Sequence, residues 1–218
     1  IVPEINSHLI TNETRLIANP NCSTAQLVMV LYPLDQKYKI KRVVISTYQS
    51  VSGSGYAGIK QMYNERNNEV IEKKVFEPKI DLNCISFCDV LDPETGYTKE
   101  ELKLENETKK IIRPEINLTA TAVRVPVICG HCETVNIEFE NDFELDEIKT
   151  CLQNMPGVQL KDEAYPIEVL NQTNVWVSRI RRDRSQDKSL NLWIVADNLM
   201  KGAALNAIQI AEYLKEFQ

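Results

Sequence analysis

Cys22 stands in the phrase Asn19-Pro20-Asn21-Cys22-Ser23-Thr24, directly ahead of the apolar run Ala25-Gln26-Leu27-Val28-Met29-Val30-Leu31. Pro and Asn enter helices well and continue them poorly, so the spacing predicts a helix that starts at or just after Cys22. Free backbone N–H groups and the helix dipole at such a terminus favour a thiolate. Cys22 is then either a nucleophile or a small buried residue opening a core helix, and position alone leaves both open. His131 is one of two histidines and offers a partner: a thiolate attacks a carbonyl while an imidazole moves protons. A structural role for His131 stays open beside that. His8, the other histidine, has no chemical neighbours in sequence. A second chemistry is structural zinc, because Cys129-x2-Cys132 and Cys84-x3-Cys88 supply four soft ligands in two clusters.

The 218 residues suffice for one large domain or two small ones. A net charge of −6 argues against nucleic-acid binding through a basic surface. No apolar run reaches membrane-spanning length, so no membrane partner is expected. Five Asn-x-Ser/Thr sequons, at Asn12, Asn21, Asn106, Asn117 and Asn171, lend a secreted reading some support. A chain of this size does not need disulfides to fold, so six reduced thiols and a cytoplasmic setting are the expectation.

Several elements must position these groups. Residues 1–18 read as a short strand and a connection. The helix after Cys22 is expected to end near Pro33. Lys41 to Tyr48 is β-branched and aromatic and reads as a strand. It leads into the turn Gln49-Ser50-Val51-Ser52-Gly53-Ser54-Gly55-Tyr56-Ala57-Gly58, which opens a helix to about Asn64. Asp92 to Gly96 is a turn, and Cys84 and Cys88 fall in an apolar, strand-like segment before it. Thr98-Lys99-Glu100-Glu101 is a capping box opening a helix to about Ile112. Glu100 and Lys103 share a face of that helix, ordinarily as a solvated pair. Strands are expected over Leu118–Val127, Val135–Phe139, Asn174–Arg182 and Leu190–Ala196, and helices over Glu144–Leu152 and Gly202–Phe217. Arg124 and His131 are seven apart, an odd spacing that one unbroken strand would place on opposite faces. Pro126 and Gly130 are where the backbone can bend to bring them together. The pattern predicts an α/β fold of the α+β type, with a mixed, largely antiparallel sheet and helices packed on one face.

Taken together, Asn19–Thr24, Tyr48-Gln49-Ser50-Val51-Ser52-Gly53, Gly96–Glu101, Arg124-Val125-Pro126-Val127, Gly130-His131, Arg179–Asp183 and Asp197–Asn206 resemble aspartate-semialdehyde dehydrogenase in order and spacing. The resemblance implies the glyceraldehyde-3-phosphate dehydrogenase-like catalytic domain. It implies NADPH-dependent reductive dephosphorylation of L-aspartyl 4-phosphate to L-aspartate 4-semialdehyde, a step toward lysine, threonine and methionine. Carried over by position, Cys22 resembles the nucleophile that forms an acyl-thioester, His131 the proton-transfer residue and Gln49 the residue that orients substrate. Arg124 resembles the clamp on the substrate carboxylate, a role suited to a planar guanidinium. Asn21, Glu100 and Lys103 would bind substrate, Glu100 through the amino group and Lys103 through the phosphate. Ser52, Gly53 and Asn198 resemble positions that touch NADP.

Nothing in the sequence matches the family's N-terminal nucleotide-binding domain. The expectation is therefore that residues 1–18 close that domain and its linker, that 19–196 form the catalytic and dimerisation domain, and that 197–218 form a helix returning to the absent part. An incomplete NADP site, little activity of this chain alone and a homodimer follow from that. The alternatives are a non-catalytic dimerisation fragment and a zinc-stabilised domain. Cys132 stands where the family usually has serine.

Overall fold

A computed structural model of the chain describes residues 1–215. Its elements are α1 (Pro3–Asn6), α2 (Cys22–Tyr38), β1 (Ile40–Gln49), α3 (Gly55–Asn67), α4 (Lys99–Ile111), β2 (Asn117–Arg124), β3 (His131–Phe139), α5 (Leu145–Gln153), β4 (Val158–Leu160), β5 (Val175–Arg182), β6 (Ser189–Ala196) and α6 (Leu205–Leu214). A six-stranded sheet runs in the order β2-β1-β3-β6-β5-β4. The pairs β1/β2 and β4/β5 are parallel, and β1/β3, β3/β6 and β5/β6 are antiparallel. The sheet is thus mixed and mostly antiparallel, as the sequence predicts.

α2 lies across one face of this sheet. Ser23 to Leu31 are buried without interruption, and their apolar side chains join Val43, Ile45, Val135, Ile137, Leu192 and Ile194 in the main core. α4 packs on α2 and β2, and α5 on α2 and β4. The other face is covered only in part: Ala164 and Val169 pack there on Cys132, Trp176 and Val195, while alternate residues Ser46, Tyr48, Asn136, Asn191 and Trp193 keep part of their surface. That alternation is the signature of a sheet with one fully covered side.

Three expectations are corrected. Residues 1–18 contain no strand. Pro3 opens the short helix α1, and Asn6 Oδ1 accepts a hydrogen bond of 2.8 Å from Val2 N. Proline suits the first helical turn, where its missing N–H is not needed. α2 does not stop at Pro33 but runs to Tyr38. Buried Leu34, Asp35 and Tyr38 hold the last turn. Asp35 accepts from Arg113 Nε at 3.0 Å and from Ile40 N at 2.9 Å, while Tyr38 stacks edge-on against Phe139 and Phe143. The segment holding Cys84 and Cys88 is not a strand; it meets the sheet at a single bridge, Ile85 to Arg124.

The capping box is present, with Thr98 N donating to Glu101 Oε2 at 2.7 Å and Glu101 N to Thr98 Oγ1 at 3.2 Å. At the C-terminal end, Met200–Ala204 form a turn of π-helix before α6 begins, so the helix expected from Gly202 starts wider than an α-helix. Phe217, its expected last residue, lies outside the described residues. Nothing among the described residues brings three metal-ligating side chains together. Cys129 Sγ donates to Asp197 at 3.3 Å, while Cys132 points to the other side of the sheet among Ala164, Val169 and Trp176. The four cysteines of the zinc reading, Cys84, Cys88, Cys129 and Cys132, are thus not gathered into one site.

Candidate active site

The site is built at one end of four neighbouring strands. Arg124 closes β2, Gln49 closes β1, His131 opens β3 and Ala196 closes β6. Gln49 is in register with Arg124, and His131 with Ala196. Arg124 and His131 therefore do not share a bent strand. They flank β1 from either side, and the turn between them holds Gly130 at φ +90°. A side chain at Gly130 would also meet the Pro166 carbonyl oxygen at 2.8 Å, so only glycine fits there.

The N-termini of α2 and α4 point at the same end. Asn21 caps α2, its Oδ1 accepting from Ser23 N at 2.9 Å and Thr24 N at 3.3 Å. Cys22 follows as the first helical residue. Asn21 Nδ2 donates to Glu100 Oε1 at 2.8 Å, and Gln49 Nε2 donates to the same oxygen at 3.1 Å. Glu100, in the first turn of α4, is thus the hub that ties the Cys22 end of α2 to the strand end. It is buried, and Lys103 Nζ reaches its other oxygen at 3.4 Å while holding Asp89 at 3.0 Å. The pair is solvated at one end only: Glu100 is buried and Lys103 is exposed.

Arg124 Nη1 donates to the Ser50 carbonyl at 2.7 Å, and its guanidinium carbon sits 5.8 Å from the centre of the Phe76 ring. Its buried Nε has no partner. His131 is fully buried. Its Nδ1 accepts from Ser50 N at 3.2 Å and lies 3.0 Å from Ser50 Oγ. An N–H aimed at Nδ1 places the proton of the neutral ring on Nε2, the nitrogen without a partner. Burial, reinforced by Arg124, pushes the imidazole down to about 3. It is a neutral donor at physiological pH.

The expected thiolate is not the resting form. Burial, and after it the charge of Glu100, pushes the Cys22 thiol up to about 12. The Ser23 N–H at the helix start and Arg124 pull the other way and are outweighed.

Of the positions expected to touch NADP, Ser52 and Asn198 are buried and bonded to each other, Asn198 Nδ2 donating to Ser52 Oγ at 3.1 Å. Asn198 Oδ1 also accepts from Ser50 Oγ at 3.1 Å and from Gly130 N at 3.0 Å, which braces the backbone on both sides of His131. Gly53 is exposed, and a Cβ there would lie 2.8 Å from Arg124 Nη1 and 3.0 Å from His131 Nε2. Its backbone therefore approaches both groups as only glycine can.

Four contributors are missing from the sequence reading: Ser50 on the His131 ring, Gln26 on its carbonyl at 3.2 Å, Glu133 beside it, and Gly202 against Cys22. Gln26 is one turn along α2 from Cys22, and Glu133 shares a strand face with His131. That periodicity is the signal that would have found them.

The family described as semialdehyde dehydrogenase, dimerisation domain, matches residues 31–201. An aspartate-semialdehyde dehydrogenase of Rickettsia conorii is 44% identical over 226 residues, covering 98% of this chain and 67% of that protein. The chain belongs to the aspartate-semialdehyde dehydrogenase family. It spans about two thirds of the length of such relatives. Aspartate-semialdehyde dehydrogenase II of Vibrio cholerae, solved as a complex with ASA, superposes with a TM-score of 0.94 at 39% identity, covering 99% of this chain and 67% of that one. The Candida albicans aspartate-semialdehyde dehydrogenase solved with NADP superposes at 0.75 with 25% identity, over 99% of this chain and 66% of that one. The resemblance seen in seven short motifs thus extends over nearly the whole of this chain.

Proposed function

We propose that Cys22 forms an acyl-thioester with L-aspartyl 4-phosphate, as the first half of its NADPH-dependent reduction to L-aspartate 4-semialdehyde in lysine, threonine and methionine biosynthesis. The observation that carries this is the convergence of Cys22, Gln49, Glu100, Arg124 and His131 on the ends of β1, β2 and β3 and the first turns of α2 and α4. The Cys22 thiol passes its proton to the departing phosphate as its sulfur attacks the acyl carbon, the carbon–oxygen bond to phosphate breaks, and hydrogen phosphate leaves. Arg124, with its free Nε, clamps the α-carboxylate. Glu100 takes the amino group, Asn21 and Gln49 steady Glu100, and Lys103 meets the phosphate.

Substrate binding also prepares the nucleophile. The charge of Glu100 is the second cause that raises the Cys22 thiol. A bound ammonium offsets that charge and favours the thiolate. NADPH, when bound, supplies the hydride that reduces the thioester. His131 Nε2–H then gives its proton to the thiohemiacetal oxygen and recovers it as the carbon–sulfur bond breaks. Gly53 fits a cofactor laid against His131, and Ser52 and Asn198 support the loop beneath it. Hydride transfer needs the cofactor held against the thioester. With two thirds of its relatives' length, this chain alone is expected to turn over NADPH poorly. The setting proposed is cytoplasmic.

The partly open sheet face supports a homodimer. Tyr48 and Trp193 stack there at 5.7 Å and keep part of their surface, and the matching family is described by dimerisation. A cofactor-free experiment tests the acyl half. Mixing the chain with L-aspartyl 4-phosphate should release a burst of phosphate stoichiometric with chain, and Cys22→Ser should abolish it. Slow linear release that is the same in both proteins would refute the proposal.

A further inference from the structure

Glu133 is fully buried on β3, two residues beyond His131 and on the same face of the strand. Its register partners are Thr47 on β1 and Ile194 on β6. Neither carboxyl oxygen has a hydrogen-bond partner, and the group that meets the carboxyl is the Gln26 amide. Gln26 lies one turn along α2 from Cys22, and its Nε2 donates to the His131 carbonyl at 3.2 Å. Its Oε1 is buried and also unpartnered.

Three buried orphans therefore sit side by side: Gln26 Oε1 and both oxygens of Glu133. An ionised Glu133 could take an N–H from Gln26 but would leave Gln26 Oε1 buried without a donor, because a carboxylate only accepts. One proton resolves all three. The acid O–H donates to Gln26 Oε1, the second N–H of Gln26 donates to the acid carbonyl, and the first N–H stays on His131. An unpaired buried carboxylate is expensive, and the usual outcome is that the group neutralises. Burial pushes the Glu133 carboxyl well above its ordinary range, against the smaller opposing effect of the Gln26 amide. The ionisable groups within reach are Cys22 across the site and Cys132 beside it, and a charge on Glu133 would raise both thiols.

We propose that Glu133 is a positioning residue acting as a neutral carboxylic acid, whose cyclic pair with Gln26 ties the first turns of α2 to the start of β3 and so sets Cys22 against His131. The functional consequence rests on the acyl-transfer reading above. The acid–amide pair does not.

Two spectroscopic measurements on the 218-residue chain test the proposal. Infrared difference spectra between wild type and Glu133→Gln at neutral pH should contain the carbonyl band of a protonated carboxylic acid. Its absence would overturn the proposal. With two histidines in the chain and His8 exposed as the reference, ring-nitrogen NMR reads His131 directly. Glu133→Leu should shift the His131 resonances, and Glu133→Gln, whose amide still pairs with Gln26, should restore them. Unshifted His131 resonances in Glu133→Leu would overturn the positioning role. Should that variant not fold, Gln26→Met removes the other half of the pair and reads the same resonances. Neither readout uses Cys22 reactivity, so an unreactive Cys22 would count against the acyl-transfer reading alone.

Discussion

Gly202 lies directly against Cys22: a Cβ built on Gly202 would stand 2.6 Å from the Cys22 Cβ and 2.9 Å from its Cα. The two residues are brought together by the π-turn Met200–Ala204, which packs on α2. Irregular helical turns of this kind are frequent at functional sites. Gly202→Ala should push Cys22 out of place. The expected result is a loss of stability of about 1–3 kcal/mol, with acylation of Cys22 falling about a hundredfold. Denaturant titration and phosphate-burst amplitude measure the two effects.

Lys201, next to Gly202, fixes the same turn. Its Nζ lies 2.6 Å from Glu4 Oε2, 3.0 Å from Asn206 Oδ1 and 2.9 Å from Gln209 Oε1, and it is buried. Removing one partner of a buried pair leaves the other charge unpaired. Lys201→Met should destabilise the chain by about 3–5 kcal/mol, and adding Glu4→Leu should recover much of that loss. A double-mutant cycle in urea checks it.

The resting Cys22 thiol should alkylate slowly at neutral pH. Its rate should climb with pH past the ordinary thiol range toward about 12. Because the Glu100 charge is part of the cause, Glu100→Gln should speed alkylation at pH 8. Alkylation mapped to each cysteine by mass spectrometry decides this, and an unchanged rate in Glu100→Gln would remove Glu100 from the account.

The folded His131 imidazole sits near 3 against 6.5 when unfolded. Between those values the unfolded chain binds more protons, so this contribution is complete above pH 6.5 and is lost as pH falls toward 3. The slope is at most about 1.4 kcal/mol per pH unit. Glu133 is raised instead and has the opposite sign, since its contribution fades as pH rises above its unfolded value. His131→Asn should flatten the acid limb of stability measured by denaturant titration between pH 4 and 7.

Local chemistry was legible in the sequence where it is decided locally. Asn21 and Cys22 announce a helix start, Thr98 and Glu101 a capping box, and the β-branched run to Tyr48 a strand; all three are present. The α2 terminus fails only at Pro33, where packing of Leu34 and Tyr38 overrides a local breaker. The weak acidity of Cys22 was not legible, because the burial that suppresses its ionisation, and the Glu100 charge that adds to it from α4, arise in space rather than in sequence. Likewise the Arg124–His131 relationship depends on β1 inserting between β2 and β3, which spacing along the chain does not encode. Glu133 reads as an ordinary strand residue until both of its oxygens prove to be buried without partners.

The most direct test of the account is the mass of the Cys22 peptide after brief exposure of the chain to L-aspartyl 4-phosphate and acid quenching. The account predicts one aspartyl group in thioester linkage on Cys22, lost in Cys22→Ser and sharply reduced in Arg124→Leu. An unmodified Cys22, or labelling spread evenly over Cys22, Cys84 and Cys151, would contradict it.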